Sequence, residues 1–152
     1  MIFTEAEIPY ITTQRLGRLA TVRADSTPQV NPVSCYYNPN TDTIDIGGHN
    51  LASSQKYRNV RINPATAVVI DDMPNTDPKS IRCLEVRGRA EALDHPTDST
   101  ARLHGPIIRI HPRRIISWGI DTSQRGRGTR TVQPRTARPA DGPAERPGGA
   151  AR

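Results

Sequence analysis

Short apolar runs, many of them alternating with polar positions, dominate the first 120 residues and predict a chain built mainly from β-strands. Thr43–Gly47 alternates cleanly and follows the turn-forming segment Asn38–Asp42, which predicts a hairpin with the preceding run Gln29–Tyr37. The remaining predicted strands are Arg18–Val22, Ala65–Asp71, Leu84–Leu93, Ile107–Ile110 and Ile115–Ile120.

Several of these strands carry features that predict how they pair. Pro32 predicts an edge strand, a bulge or a strand whose backbone is not fully paired, because proline cannot donate a ladder hydrogen bond. Gly88 predicts a second bulge. The nearly continuous apolar run Ala65–Asp71 is typical of a strand buried on both faces. His111 and Pro112 predict a break between the last two strands.

Two short helices are predicted. The first lies within Thr4–Gln14, where Thr4 and Glu7 have the spacing of a capping box. The second runs over Leu51–Val60, with Asn50 as its N-cap. About six strands with one or two helices in one domain predict a small β-barrel that has a helix inserted between strands.

The composition changes at Thr122. Residues 122–152 contain seven Arg and two acidic residues and carry +5 of the net charge of +6, which leaves +1 for residues 1–121. This Arg-, Pro- and Gly-rich segment has no aromatic residue and predicts a disordered tail after a folded domain of residues 1–121. The near-neutral domain argues against a basic nucleic-acid-binding fold, and a tail without aromatic stacking groups predicts no specific nucleic-acid partner.

The sequence also predicts where the protein works. No apolar stretch is long enough to cross a bilayer, so we expect no membrane association. Met1–Tyr10 carries two acidic residues and no basic one, unlike a secretory signal. The two cysteines, Cys35 and Cys83, are too few for a disulfide framework. These features predict a reduced, cytoplasmic protein.

A glycine corner is the first candidate site. Gly47 and Gly48 end a strand, and the helix that follows begins with Ser53 and Ser54 and carries Lys56 in its first turn. Unpaired N–H groups at a helix N-terminus, with hydroxyls and a cation beside them, favour a bound phosphate. The alternative interpretation is a capped surface helix with solvated basic side chains.

Asn31, Pro32 and Val33 form the second candidate site, since a strand with a gap in its backbone pairing can hold a flat heterocycle. The alternative is an edge strand that proline protects from aggregation. The four histidines lack metal-ligand spacing, so we expect no metal. The chain also contains no GxGxxG, Walker A or GxSxG motif.

Six segments in a fixed order resemble a known family: RLGRLATV, PQVNPV, TIDIGGHN, SQKYRNVRINP, EVRGRAEAL and IIRIHPRRIISWGID. Together they are similar to the pyridoxamine-5′-phosphate-oxidase-like split-barrel oxidoreductases, in particular to the small enzymes that use the deazaflavin coenzyme F420. The resemblance covers nearly all of residues 1–121. It implies a split β-barrel homodimer with two cofactors at the dimer interface.

The resemblance also implies a cofactor site. Ser54 and Lys56 match the phosphate-binding corner of the family, and Gln55 stands where flavin-binding members often have Arg. The residues that match the strand along the cofactor ring, or the strand end beside it, are Asn31, Pro32, Val33, Gly48 and His49.

The implied function is hydride transfer from reduced F420 to a conjugated C=C bond of a small organic molecule. One subgroup of the family resembles reductases that finish tetracycline-type natural products. FMN in place of F420, or a non-enzymatic carrier of a flavin, a deazaflavin or haem, are the alternatives. No catalytic acid is assigned, and Tyr36, Tyr37 and solvent stay open as the proton source.

Overall fold

The structure is a computed structural model that describes residues 1–14, 16–100 and 102–133. Within these ranges no helix is long and apolar enough to span a bilayer. The helices are α1 (Glu7–Thr13) and α2 (Gln55–Ile62). The strands are β1 (Gly17–Val22), β2 (Pro28–Asn38), β3 (Thr43–Gly47), β4 (Ala65–Asp72), β5 (Arg82–Leu93), β6 (Ile107–Trp118) and β7 (Gly128–Thr131).

The first six strands close into an antiparallel barrel. Neighbouring strands follow the order β3-β2-β1-β4-β5-β6-β7, and an additional pairing joins β3 to β6. That pairing sets Ile44 opposite Ile110 and Ile46 opposite Ile108, and it converts an open sheet into a closed ring. The predicted mainly-β barrel with short helices is therefore confirmed, as is the β2–β3 hairpin.

Branched aliphatic side chains fill the interior of the barrel. Each fully buried residue of this kind stabilises the fold by roughly 1.5–3 kcal/mol relative to its exposed state. Phe3 and Ile11 from the N-terminal segment, and Tyr57 and Val60 from α2, complete the same core. The fully buried aliphatic residues of the strands include Leu19, Ile44, Ile46, Val68, Ile70, Leu84, Val86, Ile108, Ile110 and Ile115.

β6 is one continuous strand, so the predicted break at His111 and Pro112 is wrong. The β5–β6 register shifts between Arg87 and Gly88, and Pro112 lies opposite Gly88 at this shift. A bulge of this kind tolerates the missing N–H of proline. The predicted bulge at Gly88 is confirmed, and a Cβ added there would lie 2.1 Å from the His111 carbonyl oxygen.

β4 is buried on one face only, so the prediction that the run Ala65–Asp71 is buried on both faces is wrong. Thr66, Val68 and Ile70 point into the core, whereas Ala67 and Val69 are half-exposed. The apolar run therefore reflects the apolar residues Ala67 and Val69 on the half-exposed face.

Both predicted helices form, with one correction. Thr4 N donates to Glu7 Oε2 (3.0 Å) and Glu7 N donates to Thr4 Oγ1 (3.2 Å), which confirms the capping box. Asn50 does not cap α2: it adopts a left-handed conformation (φ 52°) before a separate 3-10 turn at Leu51–Ser53. Ser54 is extended and caps α2 instead.

β7 lies inside the segment that the sequence predicts to be a disordered tail. It pairs with the second half of β6, at Arg114–Ser117, beyond the part of β6 that pairs with β3. Arg130 forms an ion pair with the buried Glu7 of α1 and donates to the Ile2 carbonyl (3.0 Å). Composition alone misses this strand because its stability comes from a distant carboxylate and an open strand edge. The predicted disorder of residues 134–152 lies outside the described residues.

Burial would raise the pKa of Glu7, but hydrogen bonds from Arg130 and from the Thr4 backbone outweigh it and hold that pKa below its ordinary value. We therefore expect Arg130→Met to lower the free energy of unfolding at neutral pH by about 2–3 kcal/mol, because it leaves a buried carboxylate without its cation. A lowered pKa stabilises the fold above the ordinary carboxyl pKa of ~4.3, and the effect is lost as the pH falls through the folded-state pKa.

Urea unfolding of the unchanged protein and of Arg130→Met measures the difference in their free energies of unfolding. This difference should be large at about pH 7 and small at about pH 3. Arg113→Met, at an exposed position on β6, is the matched control. Equal losses in the two variants would contradict the assigned role of the Arg130–Glu7 pair.

Candidate functional site

The first half of β2 has one open backbone edge. β2 pairs with β1 from Pro28 to Val33, and with β3 only from Ser34 onward. Asn31, Pro32 and Val33 lie in the half that pairs on one side only. β2 is therefore not an edge strand, and Pro32 lies in a half of β2 whose backbone is not fully paired, as its missing N–H predicts.

Gly48 and His49 lie beside this edge. Gly47 is the residue of β3 opposite Ser34, so Gly48 follows at the level of Val33. Both Gly48 and His49 are exposed, and a Cβ added at Gly48 would meet nothing within 4 Å. The space next to the open edge of β2 is therefore accessible from solvent.

Ser54 begins α2, and its hydroxyl is used for capping. Ser54 Oγ donates to the Leu51 carbonyl (2.6 Å) and accepts from Tyr57 N (3.4 Å). The hydroxyl is therefore a structural part of the corner, which leaves the backbone N–H groups of Gln55 and Lys56 as the donors without an intrahelical partner.

Lys56 is the cation of this corner. Its side chain is half-buried, and within the described part of the chain its ammonium group has no acidic partner. By contrast, Arg61 of the same helix pairs with Asp94 (2.7 Å). Arg58 also lacks an acidic partner there, but it donates to the Ser53 carbonyl and to Gln55 Oε1, so Lys56 is the cation of α2 whose side chain has no hydrogen-bond partner among the described residues.

Polar side chains connect this corner to the open edge of β2. Gln55 Nε2 donates to Asn59 Oδ1 (2.7 Å), and Asn59 Nδ2 donates to Gln29 Oε1 (3.0 Å). Gln29 Nε2 in turn donates to Asn31 Oδ1 (2.6 Å). The structure therefore connects Asn31 on β2 with Gln55 on α2, two residues that the sequence analysis selects as candidates. The residues that link them, Gln29 and Asn59, are not among those candidates.

A groove of about 910 Å³ runs along the second half of β2, and it begins at Ser34, directly after Val33. The C-terminal end of α1 and the connection between β5 and β6 form its walls. Arg102 adds a positive charge to a lining that is rich in hydroxyl groups. The hydroxyl-bearing side chains that line it are Thr12, Thr13, Ser34, Tyr36, Tyr37, Ser99 and Thr100.

One buried cation holds the β5–β6 connection over the barrel. Arg109 pairs with Asp45 through two hydrogen bonds (2.8 and 3.0 Å) and with Asp98 through a third (2.7 Å). The hydrogen bonds that Arg109 donates to Asp45 raise the pKa of Arg109, so its guanidinium group stays charged. Leu103 of the same connection packs on Gly47, where an added Cβ would lie 2.3 Å from Leu103 Cδ2. Asn38 Nδ2 also donates to the Asp98 carbonyl (2.8 Å), so several contacts anchor this wall of the groove.

Neither cysteine is poised for thiolate chemistry. Burial raises the pKa of Cys35, which lines the groove, to about 12, and that of Cys83 to about 11. Both thiols are therefore protonated at neutral pH. Among the described residues, no group of three His, Cys, Asp or Glu side chains is arranged to hold a metal ion.

The sequence that forms the barrel matches a known family. The model of the pyridoxamine 5′-phosphate oxidase family covers residues 3–132. The chain belongs to this family. The matched range includes β7 and stops one residue before the end of the described C-terminal segment.

Relatives within and around the pyridoxamine 5′-phosphate oxidase family include reductases. The 5a,11a-dehydrotetracycline/5a,11a-dehydrooxytetracycline reductase of Streptomyces rimosus subsp. rimosus is 44% identical over 80% of this chain and 86% of its own length. A solved F420 reductase is 30% identical, with a TM-score of 0.52 over 68% of this chain and 90% of its own. These two likenesses support an oxidoreductase.

A haem-binding protein of Mycobacterium smegmatis shares the fold, with a TM-score of 0.59. Its sequence identity is 13% over 86% of this chain and 60% of its own. At this identity the likeness concerns the barrel alone.

Sequence reasoning missed Gln29 and Asn59, which link the two candidate segments. A weak signal exists for Asn59, because Gln55 and Asn59 have the i, i+4 spacing at which amide side chains meet on a helix. Asn59 also lies between the buried Tyr57 and Val60, where a polar residue needs a partner. No local pattern identifies that partner as Gln29.

We expect Asp98→Ala to loosen the β5–β6 connection without opening the barrel, because Arg109 keeps its two bonds to Asp45. The Asp98 side chain is 49% exposed, so its loss should cost less than ~1 kcal/mol of global stability. Amide hydrogen exchange followed by mass spectrometry should show faster exchange in this connection and unchanged exchange in β3 and β6. Asp121→Ala, which removes a carboxylate bound to Ser123, is the control, and unchanged exchange in Asp98→Ala would overturn the anchoring role.

Proposed function

We propose that this protein is a reductase that uses reduced coenzyme F420 to saturate a conjugated C=C bond of a small organic molecule, of the dehydrotetracycline type. The observation that carries this proposal is the 44% identity to the dehydrotetracycline reductase over 80% of the chain. The likeness to the F420 reductase supports the choice of cofactor. The vitamin-processing members of the family act on a pyridoxamine phosphate, and the C-terminal substrate residues that they carry are not recognisable in this sequence.

The residues at the corner and the open edge fit such a cofactor. Lys56 and the first N–H groups of α2 offer cationic and donor groups to a phosphodiester, and the edge at Asn31–Val33 offers a flat backbone surface beside the open space at Gly48. When bound, the reduced deazaflavin supplies a hydride and the binding energy of its long anionic side chain. Ser54 supports this site by fixing the start of α2, and His49 borders it.

The groove supplies the second half of the site. Because it begins at Ser34, next to the segment proposed for the ring, an acceptor bound there can lie against the reactive face of the cofactor. Its hydroxyl groups and Arg102 can donate to a carbonyl oxygen conjugated with the C=C bond. These donors would stabilise the negative charge that such an oxygen takes up when the C=C bond is reduced.

A proton must then reach the α-carbon of the acceptor. Tyr37 is less suited to deliver it, because its hydroxyl donates to Asp42 (3.1 Å). Tyr36 lies half-buried in the same groove, on the neighbouring position of β2. We therefore favour Tyr36 or solvent as the proton source.

We further propose that the working unit is a homodimer in the cytoplasm. The outer face of β2 exposes Pro28, Val30 and Pro32, and the side chain of Val30 is among the most exposed apolar ones, at 63%. Such an apolar strip is typical of a surface that a partner covers. Both cysteines are free, which agrees with a reducing compartment.

Titration of the purified protein with F420 and, separately, with FMN tests the cofactor. We expect fluorescence to report micromolar binding of F420 and weaker binding of FMN, because Gln55 offers no charge to a terminal phosphate. Reduced F420 should then be consumed when 5a,11a-dehydrotetracycline or a simpler conjugated enone is added. Tighter binding of FMN would assign the protein to the flavin-dependent enzymes, and binding without turnover would make it a carrier.

Lys56→Ala tests the phosphate corner. We expect this variant to bind F420 about 10- to 100-fold more weakly, because a charge-assisted contact to phosphate is lost. Lys79→Ala, at an exposed position in the β4–β5 connection, should bind as the unchanged protein does. An unaltered dissociation constant for Lys56→Ala would remove the corner from the site.

A further inference from the structure

Five polar side chains form a continuous series of hydrogen bonds from the surface of α2 to the open edge of β2. The series starts at Arg58, whose NH2 group donates to Gln55 Oε1 (3.0 Å). It then passes through Gln55, Asn59 and Gln29 in the bonds described above, and ends at Asn31 Oδ1. We name this series the amide relay.

The relay has one direction, and Arg58 sets it. A guanidinium group can only donate, so the amide oxygen of Gln55 must face it. The nitrogen of Gln55 then faces Asn59, and the same alternation of oxygen and nitrogen repeats at Asn59 and at Gln29. At the far end, Asn31 receives a donor on its oxygen.

The middle of the relay does not tolerate a reversal. Asn59 is fully buried, and its Nδ2 donates to Thr21 Oγ1 (3.0 Å) as well as to Gln29. Thr21 and Gln29 are opposite residues in the β1–β2 ladder, so one amide group bridges both strands. A flip of the Asn59 amide would place its donors against the donor of Gln55 and its acceptor against that of Gln29, and this is costly because Asn59 is shielded from water.

This arrangement leaves the amide nitrogen of Asn31 available. Its oxygen accepts from Gln29 (2.6 Å), whereas Nδ2 has no partner among the described residues and is not a buried atom. Asn31 lies on the open edge of β2, where the proposed function puts the cofactor ring. The group of this side chain that is left for an external partner is thus an N–H donor and not a carbonyl.

We propose that Gln29 and Asn59 are positioning residues, which hold the Asn31 amide so that it donates to an acceptor atom on the edge of the cofactor ring. This inference rests on the proposed function, since it needs a ring at Asn31. An N–H donor at this position favours a heterocycle that carries a carbonyl or an unprotonated nitrogen on the side of the ring that faces Asn31. It also gives Gln55 a different role from a phosphate ligand: both ends of its amide belong to the relay.

Gln29→Glu reverses the end of the relay. The carboxylate still accepts from Asn59, but it cannot donate to Asn31, so the Asn31 amide must turn and present its oxygen to the ligand. We expect F420 to bind about tenfold more weakly to this variant. Gln29→Met, which removes the donor without adding a charge, should show a smaller loss, and Gln124→Glu in the β6–β7 connection should show none.

A double-mutant cycle separates positioning from a general effect on the fold or the charge. In an Asn31→Ala background, Gln29→Glu should change the affinity for F420 little, because the amide it turns is absent. An additive loss in that background would overturn the positioning role. Thermal unfolding of each variant identifies any loss that comes from the fold.

A measurement without cofactor distinguishes failure of the relay from failure of the proposed function. In the ¹⁵N-resolved spectrum of the apo-protein, we expect Gln29→Glu to shift one Asn31 side-chain proton downfield and to slow its exchange, because it now donates to a carboxylate. An unchanged Asn31 signal would overturn the relay. If the unchanged protein binds neither F420 nor FMN, the proposed function fails, and the role of Asn31 toward a ring fails with it.

Discussion

The pairing of Asp45 with Arg109 is the interaction on which the rest of the structure depends. The two residues are opposite each other where β3 meets β6, the contact that closes the barrel. Both are removed from solvent, and a charge buried without its partner costs several kcal/mol. Since Arg109 also binds Asp98, the same cation closes the ring of strands and holds one wall of the groove. Barrel and groove therefore share one electrostatic support.

Local pattern was sufficient to predict most of the barrel. The strand at Thr43–Gly47, the bulge at Gly88 and the capping box of Thr4 and Glu7 depend on residues close together in the sequence, and each is found, although β3 is buried along its whole length. Two of the errors have a common cause in distant partners. Pro112 stays in a strand because Gly88 faces it, and β7 forms because Glu7 and the edge of β6 receive it.

The same distinction applies to the candidate site. The open edge at Pro32 was predictable, since proline restricts the pairing of its own strand. The role of Gln55 was not, because its amide is satisfied by Asn59 and Arg58, and the next link, Gln29, lies on another element. A sequence motif indicates which residues can touch a ligand. The polar contacts that orient those residues are a property of the fold, and here they cross from α2 to β2.

The bond between Glu7 and Arg130 also sets the order in which a growing chain can complete its fold. The two residues are 123 positions apart, so α1 is without its ionic partner until nearly all of the described chain has been synthesised. Thr12, Thr13 and Gln14, at the end of α1, form one wall of the groove. The barrel strands can pair earlier on the ribosome, and Tyr10 of α1 can already bind Asp72 and the Arg82 carbonyl at that stage. The ion pair with Arg130 is thus the last of these contacts to form, so one wall of the groove gains its ionic support after the six barrel strands have been made.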